Sequence, residues 1–135
     1  MIKLRFAVFL LLSVFIAFAA HAGEFAALKL KMLEARYSLY IMLDNGDKRG
    51  PKQQKRVQET ADAVSAMLAG MKAPAGREAQ FKELDSTWKA FKKTREEELV
   101  PLILARKQKE AEEVATGVQN DRFKKMMDLC DALEK

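Results

Sequence analysis

One cysteine and one histidine among 135 residues remove much catalytic and metal chemistry at the outset. Cys130 stands alone, so no intramolecular disulfide can form and stability must come from packing. It follows Leu129 in an apolar-rich helical stretch, where a thiol behaves as a small hydrophobe; the alternative is an intermolecular disulfide or a reactive thiol. The lone histidine, His21, lies in an N-terminal segment that reads as removable, which leaves the remainder without the usual proton shuttle near neutral pH. The usual catalytic triads are thereby excluded. Ser38, Ser65 and Ser86 fall in helical stretches without a nucleophile-elbow glycine pattern, and no glycine-rich phosphate loop is present. Convincing strand alternation, internal repeats and low-complexity tracts are missing as well. Charge of one sign is also scarce: the formal balance is +5, and without Lys3 and Arg5 there remain 22 basic against 19 acidic residues. Lys92, Lys93 and Arg95 are followed at once by Glu96, Glu97 and Glu98, so no uniform field of the kind that binds nucleic acid develops.

What is present begins with export. Lys3 and Arg5 precede an apolar run from Phe6 to Ala20, broken only by Ser13, which closes on Ala20-His21-Ala22 before Gly23. A basic start, a short apolar run and small residues at the cleavage positions make residues 1–22 a signal peptide, cleaved after Ala22. The run is shorter than the roughly 20 residues a membrane-spanning helix needs; an uncleaved N-terminal anchor is the alternative. The expected compartment is the periplasm, with residues 23–135 as one domain around one core.

That domain reads as all-α, an antiparallel up-down-up-down four-helix bundle. From Glu24 to Leu43, Phe25, Leu28, Met32, Ala35, Leu39 and Met42 form a seam at steps of three and four. A second row, Ala26, Leu30, Leu33, Tyr37 and Tyr40, predicts burial against two neighbours. Asp44-Asn45-Gly46 closes this helix, and Pro51 opens the next, in which Val57, Ala61, Val64, Leu68 and Met71 face inward before a fade near Lys72. Ala73-Pro74-Ala75-Gly76 is the clearest break. Phe81, Leu84, Trp88 and Phe91 carry the third seam, whose register extends to Arg95, Glu98 and Leu102, with a kink at Pro101 and an end near Ala105. After Arg106-Lys107-Gln108, the last helix presents Ala111, Val114, Val118, Met126, Leu129 and Leu133 inward. Gly117 inside it marks a close helix crossing or tolerated slack, the crossing being favoured.

Carboxylate runs such as Glu96-Glu97-Glu98 cannot converge on one ion, because adjacent helical residues point about 100° apart, so they read as solvated faces. The general outline is similar to small exported four-helix cytochromes. Yet the attachment motif Cys-x-x-Cys-His is missing and the last helix offers Met126, Met127 and Cys130 but no axial histidine, so no cofactor and no metal are expected. Binding features remain. Arg95 and Arg122 lie in or beside inner registers, where they either pair with Glu98, Asp121 or another acidic residue, or serve as forked donors for a carboxylate ligand. Tyr37, Tyr40 and Trp88 either add an amphipathic wall to such a site or are core material.

Trp88-Lys-Ala-Phe91-Lys-Lys-Thr-Arg95, then Glu98-Leu-Val-Pro101-Leu-Ile-Leu, then Lys109-Glu-Ala111-Glu-Glu-Val-Ala115-Thr-Gly117-Val-Gln119-Asn-Asp-Arg122, resembles the second half of the four-helix-bundle sensory domain of methyl-accepting chemotaxis proteins. The resemblance implies a periplasmic bundle that binds a small ligand, often as a homodimer, and takes part in chemotactic signal transduction. The sequence stops at Lys135 without the family's second membrane helix or signalling coiled coil, so the expectation is a free-standing sensor bundle whose partner is a small molecule or a membrane receptor. No ligand-contacting residue carries over from the family. A structural, adaptor or chaperone-like module that presents a helix face to another protein is the competing expectation. Neither is an enzyme.

Overall fold

The computed structural model describes residues 23–135; the signal-peptide assignment lies outside them. Among the described residues there is no strand. Six α-helices and one π-helical turn assemble into four rods: α1 (Glu24–Asp44), α2 (Pro51–Gly70), α3 (Glu78–Thr94) continuing through a π turn (Arg95–Leu99) into α4 (Val100–Leu104), and α5 (Gln108–Thr116) with α6 (Val118–Glu134). The result is a helical bundle in which α1 packs on α2 and α6, and α3 packs on α6. No helix of the described residues is long and apolar enough to cross a membrane.

The first seam is buried as its spacing predicts, from Phe25 through Leu28, Met32, Ala35 and Leu39 to Met42. Each such leucine or methionine contributes about 1.5–3 kcal/mol relative to an exposed side chain. The end of α1 is fastened by Arg49: its Nε donates to Met42 O at 2.7 Å, Nη2 to Leu43 O at 3.0 Å, and Nη1 to Ile103 O at 3.0 Å. One side chain thus joins the carbonyl ends of two helices, where Leu43 O also accepts from Gln108 Nε2 at 2.9 Å and Ile103 O from the Arg106 N–H at 3.1 Å. At the far end Arg77 likewise donates to Ala132 O.

Four expectations fail, each for a local reason. The second row on α1 faces water except at half-buried Tyr40: Leu30, Leu33 and Tyr37 are 67 %, 45 % and 70 % exposed, because α1 is covered by α2 and α6 on its seam side only. The third seam does not pass through Glu98 and Leu102. The Val100 N–H reaches back five residues to Arg95 O, so the π turn takes one extra residue and turns Leu99 and Ile103 inward instead. This wide turn lies where Pro101 would otherwise drive its ring against the carbonyl four residues back, so the kink is a π turn with proline in the first turn beyond it. Gly117 is no helix crossing. A Cβ there would meet only the Glu113 backbone, with its O at 2.7 Å, and the residue separates α5 from α6. The break also resets the register: Val118 is 45 % exposed, and Ala115, Gln119, Phe123, Met126 and Cys130 face the interior.

Candidate functional site

The apolar interior falls into two clusters. One gathers Phe25, Leu28, Met32, Leu84, Trp88, Phe91, Phe123 and Met126; the other gathers Leu39, Met42, Leu43, Val57, Leu99 and Ile103. Along each rod the boundary between them falls at a buried polar residue: Ser38 between Ala35 and Leu39, Thr60 between Val57 and Ala61, Arg95 between Phe91 and Leu99, and Gln119 between Ala115 and Phe123. Every rod therefore contributes one member to a polar layer across the bundle.

Arg95 is the centre of that layer and is 1 % exposed. Its Nη1 donates to Ala35 O at 2.7 Å, and its Nη2 to Val57 O at 2.8 Å and more weakly to Ser38 Oγ at 3.4 Å. Ser38 and Thr60 share a hydrogen bond of 2.8 Å, and the Ser38 hydroxyl also reaches Ala35 O. The expected ion pair of Arg95 with Glu98 or another carboxylate is not present among the described residues, where carbonyls and a hydroxyl hold the guanidinium instead. Burial depresses its pKa to about 10, with the charge of neighbouring Glu96 opposing the shift. Arg122 is half-buried and follows the same pattern, donating from Nη1 to Thr94 Oγ1 at 2.8 Å and to Gln119 Oε1 at 3.0 Å.

The aromatic candidates do not form one wall. Trp88, 1 % exposed, stacks on Phe91 with centroids 5.7 Å apart, and its indole N–H donates to Ser65 Oγ at 3.0 Å. Tyr40 is half-buried beneath the Arg36 guanidinium, which lies 5.2 Å from its centroid and 4.4 Å from that of Phe123. Tyr37 points outward beside a separate depression between α1 and α2.

Only Arg95 of the five lines a cleft of about 550 Å3 between α2 and the third rod. It exists because the backbones of α2 and α3 approach each other less closely than those of α1 with α2, α3 with α6, or α1 with α6. Trp88 with Ser65 and Arg95 with Val57 bridge this seam from within. Pro51, Gln54, Val57, Gln58 and Val100 line it together with a charged rim of Lys92, Asp62 and Glu96. The Lys92 ammonium lies 3.2 Å from Glu96 Oε1 and 3.6 Å from Asp62 Oδ1. The cleft residues of α2 were not legible as a site, because Gln58 and Asp62 sit at ordinary outer-face positions next to the seam. The signal for the polar layer was present: Gln119 interrupts an apolar succession of steps of four from Ala111 through Ala115 to Phe123.

Among the described residues no group of three or more histidine, cysteine, aspartate or glutamate side chains is arranged to hold a metal ion. No protein-family model, curated protein or solved structure matches the chain.

Proposed function

We propose that this chain is an exported, non-enzymatic sensory-type bundle that binds a small ligand, alone or on behalf of a membrane receptor. The observation that carries the proposal is the cleft along the loosest seam, with a buried guanidinium in its wall. Ligand sites between the helices of bundles have this form: a concave surface, apolar walls and a few convergent polar groups. The proposal includes the up-down-up-down antiparallel course. Its support is that partners on α6 descend as those on α1 ascend: Phe25 with Glu134, Lys29 with Asp131, Arg36 with Asn120. Export to the periplasm and kinship with chemoreceptor sensor domains rest on the sequence patterns at the N-terminus and from Phe81 to Met127.

A thermal-shift screen of the secreted protein against amino acids, organic acids and aromatic acids tests the binding. A ligand at 100 times its dissociation constant stabilises the fold by about 2.7 kcal/mol. Silence across such a screen removes the ligand reading. Mass spectrometry of the exported protein is expected to find Gly23 at the N-terminus; an intact Met1 would replace the cleaved signal with an anchor.

A second reading, a structural, adaptor or chaperone-like module, is favoured by one feature. Leu30, Leu33 and Tyr37 form an exposed apolar stripe along α1. Exposed apolar patches larger than a few hundred Å2 commonly mark contact with another protein. Loss of a co-purifying partner on replacing Leu30 and Leu33 by glutamate, without loss of helicity, would select this reading.

A further inference from the structure

We infer that the cleft between α2 and the third rod takes a small organic anion of single charge, a monocarboxylate with a short apolar body, whose carboxylate meets Arg95. This rests on the ligand-binding reading above and names the class of ligand.

The charges around the cleft decide the sign. Lys92 is already answered by Glu96 at 3.2 Å and Asp62 at 3.6 Å, and Lys55 by Glu59 at 3.6 Å. Arg95 is the exception. Ala35 O, Val57 O and Ser38 Oγ accept three hydrogen bonds from it, but carbonyl and hydroxyl dipoles supply no opposing unit charge. The charge of Glu96, itself paired with Lys92, acts in its favour, but a buried cation without a hydrogen-bonded counter-ion is still unfavourable, and an incoming anion relieves it. A guanidinium carries five N–H donors, so the Nε hydrogen and one Nη1 hydrogen remain beyond those three bonds, and a carboxylate oxygen accepts from such a donor in a charge-assisted hydrogen bond. The other wall sets the rest of the ligand. Val57, Val100 and the Pro51 ring provide apolar surface, while a second carboxylate on the ligand would meet Asp62 and Glu96. A cation would meet Arg95 and Lys92 instead. The volume, about 550 Å3, suits a small molecule. Because Arg95 bonds to α1 at Ala35 and to α2 at Val57, an anion arriving there touches the group that ties three rods together.

Isothermal titration of the secreted protein with sodium butyrate tests this, beside butyramide, butylamine, and sodium chloride and sulfate at matched ionic strength. Butyrate is expected to bind saturably and the others not. Gln58→Glu, on the exposed wall of the cleft, is expected to weaken butyrate at least about tenfold by placing like charge beside it. Arg95→Met is expected to abolish the response, with circular dichroism confirming the fold; if that variant fails to fold, Gln58→Glu decides alone. Equal binding of butyramide, or butyrate binding unchanged by Gln58→Glu, overturns the proposal. Chloride or sulfate matching butyrate overturns the assignment to an organic anion. Binding of butylamine or butyramide that Gln58→Glu alters overturns the anion class yet keeps the cleft as a ligand site. A silent panel overturns the class, whereas the broader reading falls only with the wider screen.

Discussion

Trp88 and Cys130 show how far a single residue follows from its place in a seam. The indole sits where the third seam meets the larger cluster, so its burial was readable from the spacing of Leu84, Trp88 and Phe91. Trp88→Ala is expected to lower stability by about 3–5 kcal/mol in urea denaturation, partly through the cavity and partly through the Ser65 hydroxyl left without its donor. Cys130 is fully buried, and burial pushes its thiol from 9.0 up to about 12, Lys29 pulling it back and Asp131 and Glu134 adding to the rise. The unfolded thiol ionises first, so the stabilising contribution is whole below pH 9 and is lost as the pH climbs towards 12. The wild type is therefore expected to lose stability between pH 9 and 11 more steeply than Cys130→Ala, and its thiol to resist alkylation until denaturant is added. Parallel slopes for the two proteins would mean that the thiol is open to water. The roles of the arginines were not legible at this scale. A sequence places Arg95 on an inner register, but only the approach of α1 and α2 brings the Ala35 and Val57 carbonyls to it in place of a carboxylate.

At the scale of the element, four rods were legible because steps of three and four persist across whole segments, and because Pro51, Pro74 and Gly76 mark their ends. Two interruptions were not. Periodicity counted across Arg95–Leu99 assumes a constant turn, and the π turn breaks that assumption by one residue, which exchanges Glu98 for Leu99 on the inner face. Gly117 does the same to the last rod, where two shorter helices present Gln119 and Phe123 instead of Val118. A methyl group at position 117 would lie 2.7 Å from Glu113 O, a backbone atom that cannot move without its helix. Gly117→Ala is thus expected to lower stability by about 1–3 kcal/mol, read as a fall in the urea midpoint. A gain in both stability and helicity would show that α5 and α6 can join into one straight helix, with Val118 turned inward.

For the whole molecule, the polar layer matters more than any one cluster. Ser38, Thr60, Arg95 and Gln119 interrupt a core that could have been apolar throughout. A buried guanidinium without a bonded counter-ion adds little to stability, so replacing Arg95 by methionine and Ser38 by alanine together is expected to leave stability in urea denaturation unchanged or raise it, by up to about 4 kcal/mol. Collapse of the double variant would show that the carbonyl bonds of Arg95 hold the rods in place. The sequence by itself determined that the described chain is helical, where its rods begin and end, and most of the seam along each, because those properties depend on neighbours within a few residues. Only the tertiary structure decided that α1 is covered on one side alone, that α2 and α3 stand apart enough to leave a cleft, and that Arg95 lies against carbonyls at its wall. The spacing between rods is a property of side chains distant in the chain meeting at one seam, and no local pattern encodes that distance.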